Sequence, residues 1–282
     1  MKPILVHCHI YYTNLYEELE TCIKNITVPF ELYITMVEKN ISLINKINKS
    51  FPNAKIEIVE NRGFDIAPFI HILNKVNLNN YSYIIKLHTK RDTGFGQIVN
   101  SYNMSKKKFR KNLLYFLKDK NSFSKVLLAL KTKNIGMISN HKLIIKKEKD
   151  DKQAKEKAIQ IIKKIIKKST YKYEFVAGSM FIVKSQIFIP LQKLKIKTSD
   201  FENKNLHMAQ FAHAIERIFG LLVVNQDFKI IDPITNSLKQ KIEKYCFPLR
   251  MLKDFAFKIH TSQSGKTIIK ILKIPVYNKK RS

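Results

Sequence analysis

The chain has 282 residues, 45% of them hydrophobic, with only 7 Gly and 8 Pro; this excludes a disordered or linker-rich chain and leaves one large or two small domains. Lys and Arg outnumber Asp and Glu by 52 to 22, a formal charge of +30. Such a field draws nucleic acid, anionic lipid head groups or nucleotide diphosphates without choosing among them, and the joint excess of Lys, Ile and Asn is equally what an AT-rich coding sequence produces.

Cys8, Cys22 and Cys246 are odd in number and lack metal-ligand spacing, which argues against a disulfide framework and a zinc site and for a reducing compartment. The opening MKPILVHCHIYY is too short and too polar for a signal peptide or a span, and no other window reaches about 18 uncharged apolar residues. A cytoplasmic protein is expected, with peripheral contact at the inner membrane surface left open.

In chain order, PILVHCHIYY (3–12) reads as a buried strand, 14–26 as a helix of 3.6 period and FELYITMV (30–37) as a second strand. A helix over 40–49, a strand over 54–61, a helix over 66–76 and the strand YSYIIKLHT (81–89) follow. This alternation predicts right-handed β-α-β crossovers and an α/β fold with a mainly parallel sheet, its binding chemistry at the carboxyl ends of the strands. NRGFD (61–65) and HTKR (88–91) then lie on one edge of the sheet. Gly63 suits a positive φ at the strand exit and close approach by a ligand, Asp65 suits a helix N-cap, and Pro68 falls in the first turn of that helix.

Residues 97–132 read as helical and NIGMISN (134–140) as a fifth strand. Residues 142–172 hold twelve Lys against four acids, with Ile159, Ile161, Ile162, Ile165 and Ile166 forming the apolar side of a basic amphipathic helix. It is either a surface helix with solvated lysines or an attachment to an anionic membrane. EFVAGSMFIVK (174–184) reads as a strand whose small Gly178 and Ser179 admit a ligand or a neighbouring element. On a helix over about 205–219, Met208, Phe211, Ala212, Ile215 and Phe219 share an apolar stripe, with His213 and Glu216 as i, i+3 neighbours on another face. The predicted division is a domain over 1–240, with the basic helical insertion at about 142–172, and a basic extension over 241–282.

Taken in order, NRGFDIAPF, YSYIIKLHTKRD, EFVAGSMFIVK and AHAIERIFG resemble the rhamnan synthesis F protein family of bacterial surface-polysaccharide assembly, over roughly residues 3–220. The matching positions are Asn61, Gly63, Asp65, Ile66 and Pro68; Lys86, His88, Thr89 and Lys90; Phe175, Ala177, Gly178, Met180 and Phe181; and His213, Ala214, Glu216 and Arg217. Phe64 stands where the family has an Arg, with Arg62 nearby, and Met208, Ala209 and Gln210 stand where an Asp-Gly-Thr is often found. The resemblance implies a Rossmann-like sheet of the GT-A glycosyltransferase type. It also implies transfer of a sugar such as rhamnose from a nucleotide-sugar donor to a lipid-linked glycan, in rhamnan, capsule or lipopolysaccharide O-chain synthesis.

Such a transfer needs stabilisation of a leaving diphosphate and a base at the acceptor hydroxyl. Nucleotide-sugar sheets commonly end the fourth strand in a metal-holding Asp-x-Asp. His88, Thr89 and Lys90 are instead poor ligands for a hard cation and good donors to phosphate. The expectation is therefore no metal cofactor, with Mg²⁺ or Mn²⁺ left open. His88 and Lys90 serve the diphosphate, joined by Lys86, Thr89 and Arg91 and, around the cleft, His7, Asn61, Arg62, Gly63 and Asp65. Glu216, supported by His213, is the first candidate base, with Asp65 and Glu202 in reserve; Gly178, Ser179 and Arg217 face the acceptor. Only one of His7 and His9 is expected at the nucleotide. The competing reading, resting on charge, is a non-catalytic protein binding nucleic acid or anionic membranes. It lacks a helix-turn-helix, zinc or single-strand-binding signature.

Overall fold

The structure, a computed structural model, describes residues 2–91, 97–99, 102–146, 151–203, 211–238, 240, 257–261, 267–271 and 274–279. The chain divides into two units, 1–234 and 235–282.

The larger unit begins with β1 (Ile4–Ile10), α1 (Tyr16–Lys24), β2 (Phe30–Met36), α2 (Ile41–Ser50), β3 (Lys55–Ile58), α3 (Ile66–Lys75) and β4 (Tyr83–His88). All seven residues of β1 are buried, as expected of a strand with a neighbour on each side and both faces covered. In α1 the spacing of Tyr16, Leu19, Cys22 and Ile23 buries one stripe, while Glu17 and Glu18 sit at the positive end of the helix and Lys24 at the negative end. Asn40 caps α2 by accepting the Leu43 N–H.

After β4 come the hairpin strands β5 (Gln97–Val99) and β6 (Tyr102–Met104), α4 (Lys106–Leu113), α5 (Lys120–Lys131), β7 (Ile135–Ile138) and β8 (Ile144–Ile145). The hairpin corrects the helical expectation for 97–132, which holds only from Lys106. Then follow α6 (Lys152–Ile165), β9 (Phe175–Val176), β10 (Phe181–Lys184), α7 (Ile189–Gln192), α8 (Phe211–Asn225) and β11 (Lys229–Ile231). The strand expected over 174–184 is thus broken in two, because Gly178 (φ 81) and Ser179 (φ 50) turn the chain through left-handed backbone. On α6, Ala154, Ala158 and Ile162 are buried and the helix packs along α8, so its apolar side belongs to the core, while Lys152, Glu156, Lys163 and Lys164 are exposed. Residues 204–210, with Met208, Ala209 and Gln210, lie outside the described residues.

The main sheet runs β11-β7-β10-β4-β1-β2-β3. Every pairing is parallel except those of β10, which is antiparallel to both β4 and β7. The chain winds outward from β1 to β3 and then returns through α3 to β4 on the other side of β1. Strand order therefore reverses between β1 and β4, which opens a crevice at their carboxyl ends. Under it lies an aromatic cluster in which Phe69 meets Phe181, Phe188 and Phe219 edge to face at 5.4–6.2 Å.

The second unit contains an antiparallel sheet of β12 (Phe257–Thr261), β13 (Thr267–Ile271) and β14 (Ile274–Lys279). The sequence reading placed no strand there. Among the described residues no helix is long and apolar enough to cross a membrane.

Candidate active site at the β1–β4 crevice

Strand register builds the site. His7 pairs with Lys86 and His9 with His88 across β1–β4, while Thr35 of β2 lies opposite His9 and Phe181 of β10 opposite Lys86. Side chains two apart on a strand share a face, so His7, His9, Lys86, His88 and Thr35 crowd one face of the sheet near its carboxyl edge. All five are buried.

A polar group in such a place needs partners. Lys86, 0% exposed, donates to the Asp65 carboxylate and to Ser179 Oγ at 2.9 Å, with its ammonium over the Phe69 ring at 5.5 Å. The Ser179 hydroxyl in turn donates to the Asp65 carboxylate at 2.6 Å. Burial alone would raise Asp65, but His88 and Lys86 and these hydrogen bonds hold it well below the usual carboxylate range. Burial pushes Lys86 down, against the pull of Asp65. His88 stands 3.6 Å from Asp65, with Nε2 2.9 Å from the Gly178 carbonyl and Nδ1 3.0 Å from the Thr89 carbonyl. Burial brings it down to about 4.

The Thr35 hydroxyl lies 2.9 Å from both His7 Nε2 and His9 Nδ1. One hydroxyl proton serves two rings, so one imidazole accepts from Thr35 and the other donates to it. Burial lowers both rings, His9 to about 4 and His7 well below its ordinary value. Lys86 and Asp65 are the paired ionisable groups of the cluster, and burial disfavours charge on all three imidazoles.

Glu216 lies at the rim, its side chain 19% exposed, with Oε1 taking the Gly178 N–H at 2.8 Å and Oε2 3.7 Å from Arg217. Burial raises it above the usual carboxylate range despite the pull of Arg217. Beside it is the half-buried Lys90, whose charge acts on Lys86, His88 and Glu216. Arg110 donates to the Lys90 carbonyl at 3.4 Å. Arg91 is exposed next to it.

Several expected roles change. Asp65 occupies the N-cap position of α3 but makes no capping bond, since its carboxylate is committed to Lys86 and Ser179; that same pairing unsuits it as a base. Lys86 and His7 are both fully buried, His7 stacking on Phe69 at 5.5 Å. The Thr89 hydroxyl accepts the N–H groups of Tyr11 and Tyr12 at 2.9 and 3.0 Å, tying the end of β4 to the chain leaving β1. Both His88 nitrogens face carbonyl oxygens, which leaves it a frame rather than a phosphate contact. Ser179 likewise belongs to the buried cluster, and Gly178 offers its N–H to Glu216 and its carbonyl to His88.

Gly63 (φ 63) is needed for packing rather than ligand approach: a Cβ there would lie 2.6 Å from Phe201. Asn61 is exposed and Arg62 leans on Glu60 at 3.6 Å. Arg217 is buried over the Phe175 ring at 4.9 Å and donates to the His213 carbonyl at 2.7 Å. Both Glu202 oxygens take the Phe211 N–H, at 2.8 and 3.0 Å, so this reserve base is a cap for α8. His213 stacks on Phe64 with centroids 5.9 Å apart. Sequence reasoning missed Thr35; its one signal is a lone hydroxyl in an apolar strand, on the face that His7 and His9 share.

The sequence model of rhamnan synthesis protein F matches residues 1–228. Two curated proteins, both the uncharacterized protein WxcX from strains of Xanthomonas campestris pv. campestris, are 25% and 26% identical over 227 residues, covering 79% of this chain and 31% of theirs. The chain thus spans less than a third of the length of these relatives. Two crystal structures of S. aureus TarS 1–349, one in complex with UDP, align at TM-scores of 0.43 and 0.42 with 9% and 10% identity, over 82% of this chain and 58% of theirs. The family match takes in every strand from β1 to β10 and the whole cluster around Asp65, and the chain belongs to the rhamnan synthesis protein F family.

Proposed function

We propose that this chain is a glycosyltransferase of surface-polysaccharide assembly, with a GT-A type arrangement that takes a nucleotide sugar at the β1–β4 crevice. The observation that carries the reading is Glu216, a carboxylate raised by burial, at the rim of a strand-order reversal and beside the ammonium of Lys90. In the reaction the acceptor hydroxyl oxygen bonds to the anomeric carbon and Glu216 takes its proton. The bond from that carbon to the diphosphate breaks, and the charge leaving with the diphosphate falls to Lys90 and Arg91.

The donor set at the end of β4 favours phosphate over a hard divalent ion, and we read the transfer as independent of metal. The family's name supports rhamnose as the sugar transferred. A lipid-linked glycan at the cytoplasmic membrane surface is the acceptor this reading favours. The exposed lysines of α6 would then approach anionic head groups through charge alone, since the apolar side of α6 is already covered.

The test is a thermal-shift panel of UDP, GDP and dTDP sugars, followed by transfer assays with and without EDTA. A matching donor at 100 times its Kd stabilises the fold by about 2.7 kcal/mol. Transfer that persists in EDTA supports the metal-free reading, and a strict Mg²⁺ or Mn²⁺ requirement overturns it. No shift with any donor, together with tight binding of DNA at physiological salt, overturns the enzyme reading itself.

A further inference from the structure

The turn that delivers Asp65 to the buried cluster carries a residue the cluster does not need. It is closed by the Ile66 N–H on the Gly63 carbonyl at 3.1 Å, with Phe64 at φ 55 as its first central residue and Asp65 at φ −82, ψ −6 as its second. A positive φ at the first central position alone is the type II′ pattern, where Gly is at ease and a bulky side chain is strained. Both sides of the residue are fixed. Gly63 lies against Phe201 and Ala67, and the Asp65 carboxylate is held by Lys86 and Ser179. Strain that persists under such constraint calls for a reason.

Core burial is not that reason, for Phe64 is 37% exposed. Its ring lies at 19° to that of His213 with centroids 5.9 Å apart, an offset stack that fixes its orientation. Glu216 follows His213 by three residues on α8, the spacing at which helical side chains are neighbours. An exposed aromatic face and a carboxylate of raised pKa thus line one side of the crevice mouth.

The geometry points to Phe64, positioned by His213, as the platform on which the acceptor sugar lies. A pyranose offers an apolar C–H face that suits the negative face of an aromatic ring, while hydroxyls project from its rim toward polar groups. On Phe64 such a ring directs a rim hydroxyl toward Glu216. The inference rests on the glycosyltransferase reading in one respect: closeness to the base assigns the platform to the acceptor and not to the nucleotide.

The experiment uses the full chain, wild type, Phe64→Gly and Phe64→Tyr. Saturation-transfer NMR and titration with methyl α-rhamnopyranoside, methyl glucopyranoside and methyl galactopyranoside report sugar binding, and melting-temperature shifts with UDP, GDP and dTDP report nucleotide binding. The wild type should bind at least one glycoside, with transfer strongest to its ring C–H protons. Phe64→Gly should weaken that glycoside about tenfold, leave the nucleotide shift unchanged and melt no lower than wild type, because Gly relieves the backbone; Phe64→Tyr should stay within about twofold of wild type.

Equal sugar binding in Phe64→Gly, loss of nucleotide rather than sugar affinity, a sharp fall in melting temperature, or no glycoside binding by the wild type each overturns the platform. If sugar binding depends on Phe64 but no nucleotide binds, the platform stands and the glycosyltransferase reading fails. If nucleotide binds but no glycoside does, the reverse holds.

Discussion

Lys86→Met is the sharpest probe of the buried cluster. Met keeps the apolar stem over Phe69 and removes the ammonium, leaving Asp65 with Ser179 as its remaining hydrogen-bond partner. Removing one member of a buried pair costs about 3–5 kcal/mol, since the other charge is left uncompensated. Asp65→Asn makes the opposite error and strands the ammonium of Lys86 at a similar cost.

The two penalties respond to pH in opposite senses. Without Lys86 the folded-state pKa of Asp65 rises above its unfolded value, so the penalty is full above that raised pKa and fades as pH falls toward the unfolded one. Without Asp65 the pKa of Lys86, already lowered by burial, falls further; its penalty is full below that lowered pKa and fades as pH climbs from it toward the unfolded value of about 10.4. The double variant should cost less than the two singles together by about 0.5–3 kcal/mol. Urea unfolding of all four proteins at pH 5, 7 and 9 reads these differences. A single substitution costing under about 1 kcal/mol, or costs that drift the same way with pH, would refute the pairing as the cluster's organising interaction.

Other expectations follow from the same geometry. His9 and His88, each at about 4 when folded and near 6.5 when unfolded, contribute stability that is whole above pH 6.5 and lost as pH falls to 4. The loss is about 3 kcal/mol each, and His9→Gln should flatten the fall of the urea midpoint across that window. Thr35→Val deprives His7 Nε2 and His9 Nδ1 of their shared hydroxyl and should cost about 1–3 kcal/mol by thermal or urea unfolding. Glu216→Gln, with an amide oxygen in place of the carboxylate oxygen at the Gly178 N–H, should melt close to wild type while transfer falls about 10²- to 10⁴-fold. In the wild type kcat should fall on the acid side with an apparent pKa above 4.5, and a flat acid limb would remove Glu216 from the role of base.

The alternation of apolar runs disclosed β1 to β4 and the crossovers between them, because β1 and most of β2 and β4 are buried and α1 and α2 each carry one apolar stripe. It also put the Asp65 block and the His88 block on one edge. Coverage of a face is a tertiary property, however. A period of two says that His7 and His9 share a face with each other and Lys86 with His88, but not that α3 and the 177–180 turn close over them. The hairpin at 97–104 was invisible because three-residue strands leave no period to count. The break at Gly178 was half legible, since Gly permits positive φ; Ser179 at φ 50 gave no such signal, for its conformation is held by bonds to Lys86 and Asp65 across the fold.

That coverage moves the chemistry one step outward from the motifs that announce it. Lys86 is answered by Asp65 and burial disfavours charge on the imidazoles, so the interior cluster has little net charge to offer outward. Under the proposed reading, charge for the leaving group comes from residues beyond it, and Lys90 and Arg91 stand in the next positions of the chain leaving β4. The cluster's contribution is placement. Gly178 takes His88 on its carbonyl and gives its N–H to Glu216, so the rim carboxylate is hung from the same frame that fixes Asp65 and Lys86. A disturbance at Lys86 should then reach Glu216 through Ser179 and Gly178 without any contact between the two. The +30 charge of the chain does not distinguish one polyanion from another; the proposed reading rests instead on a single carboxylate raised by burial, held beside one lysine at the strand-order reversal.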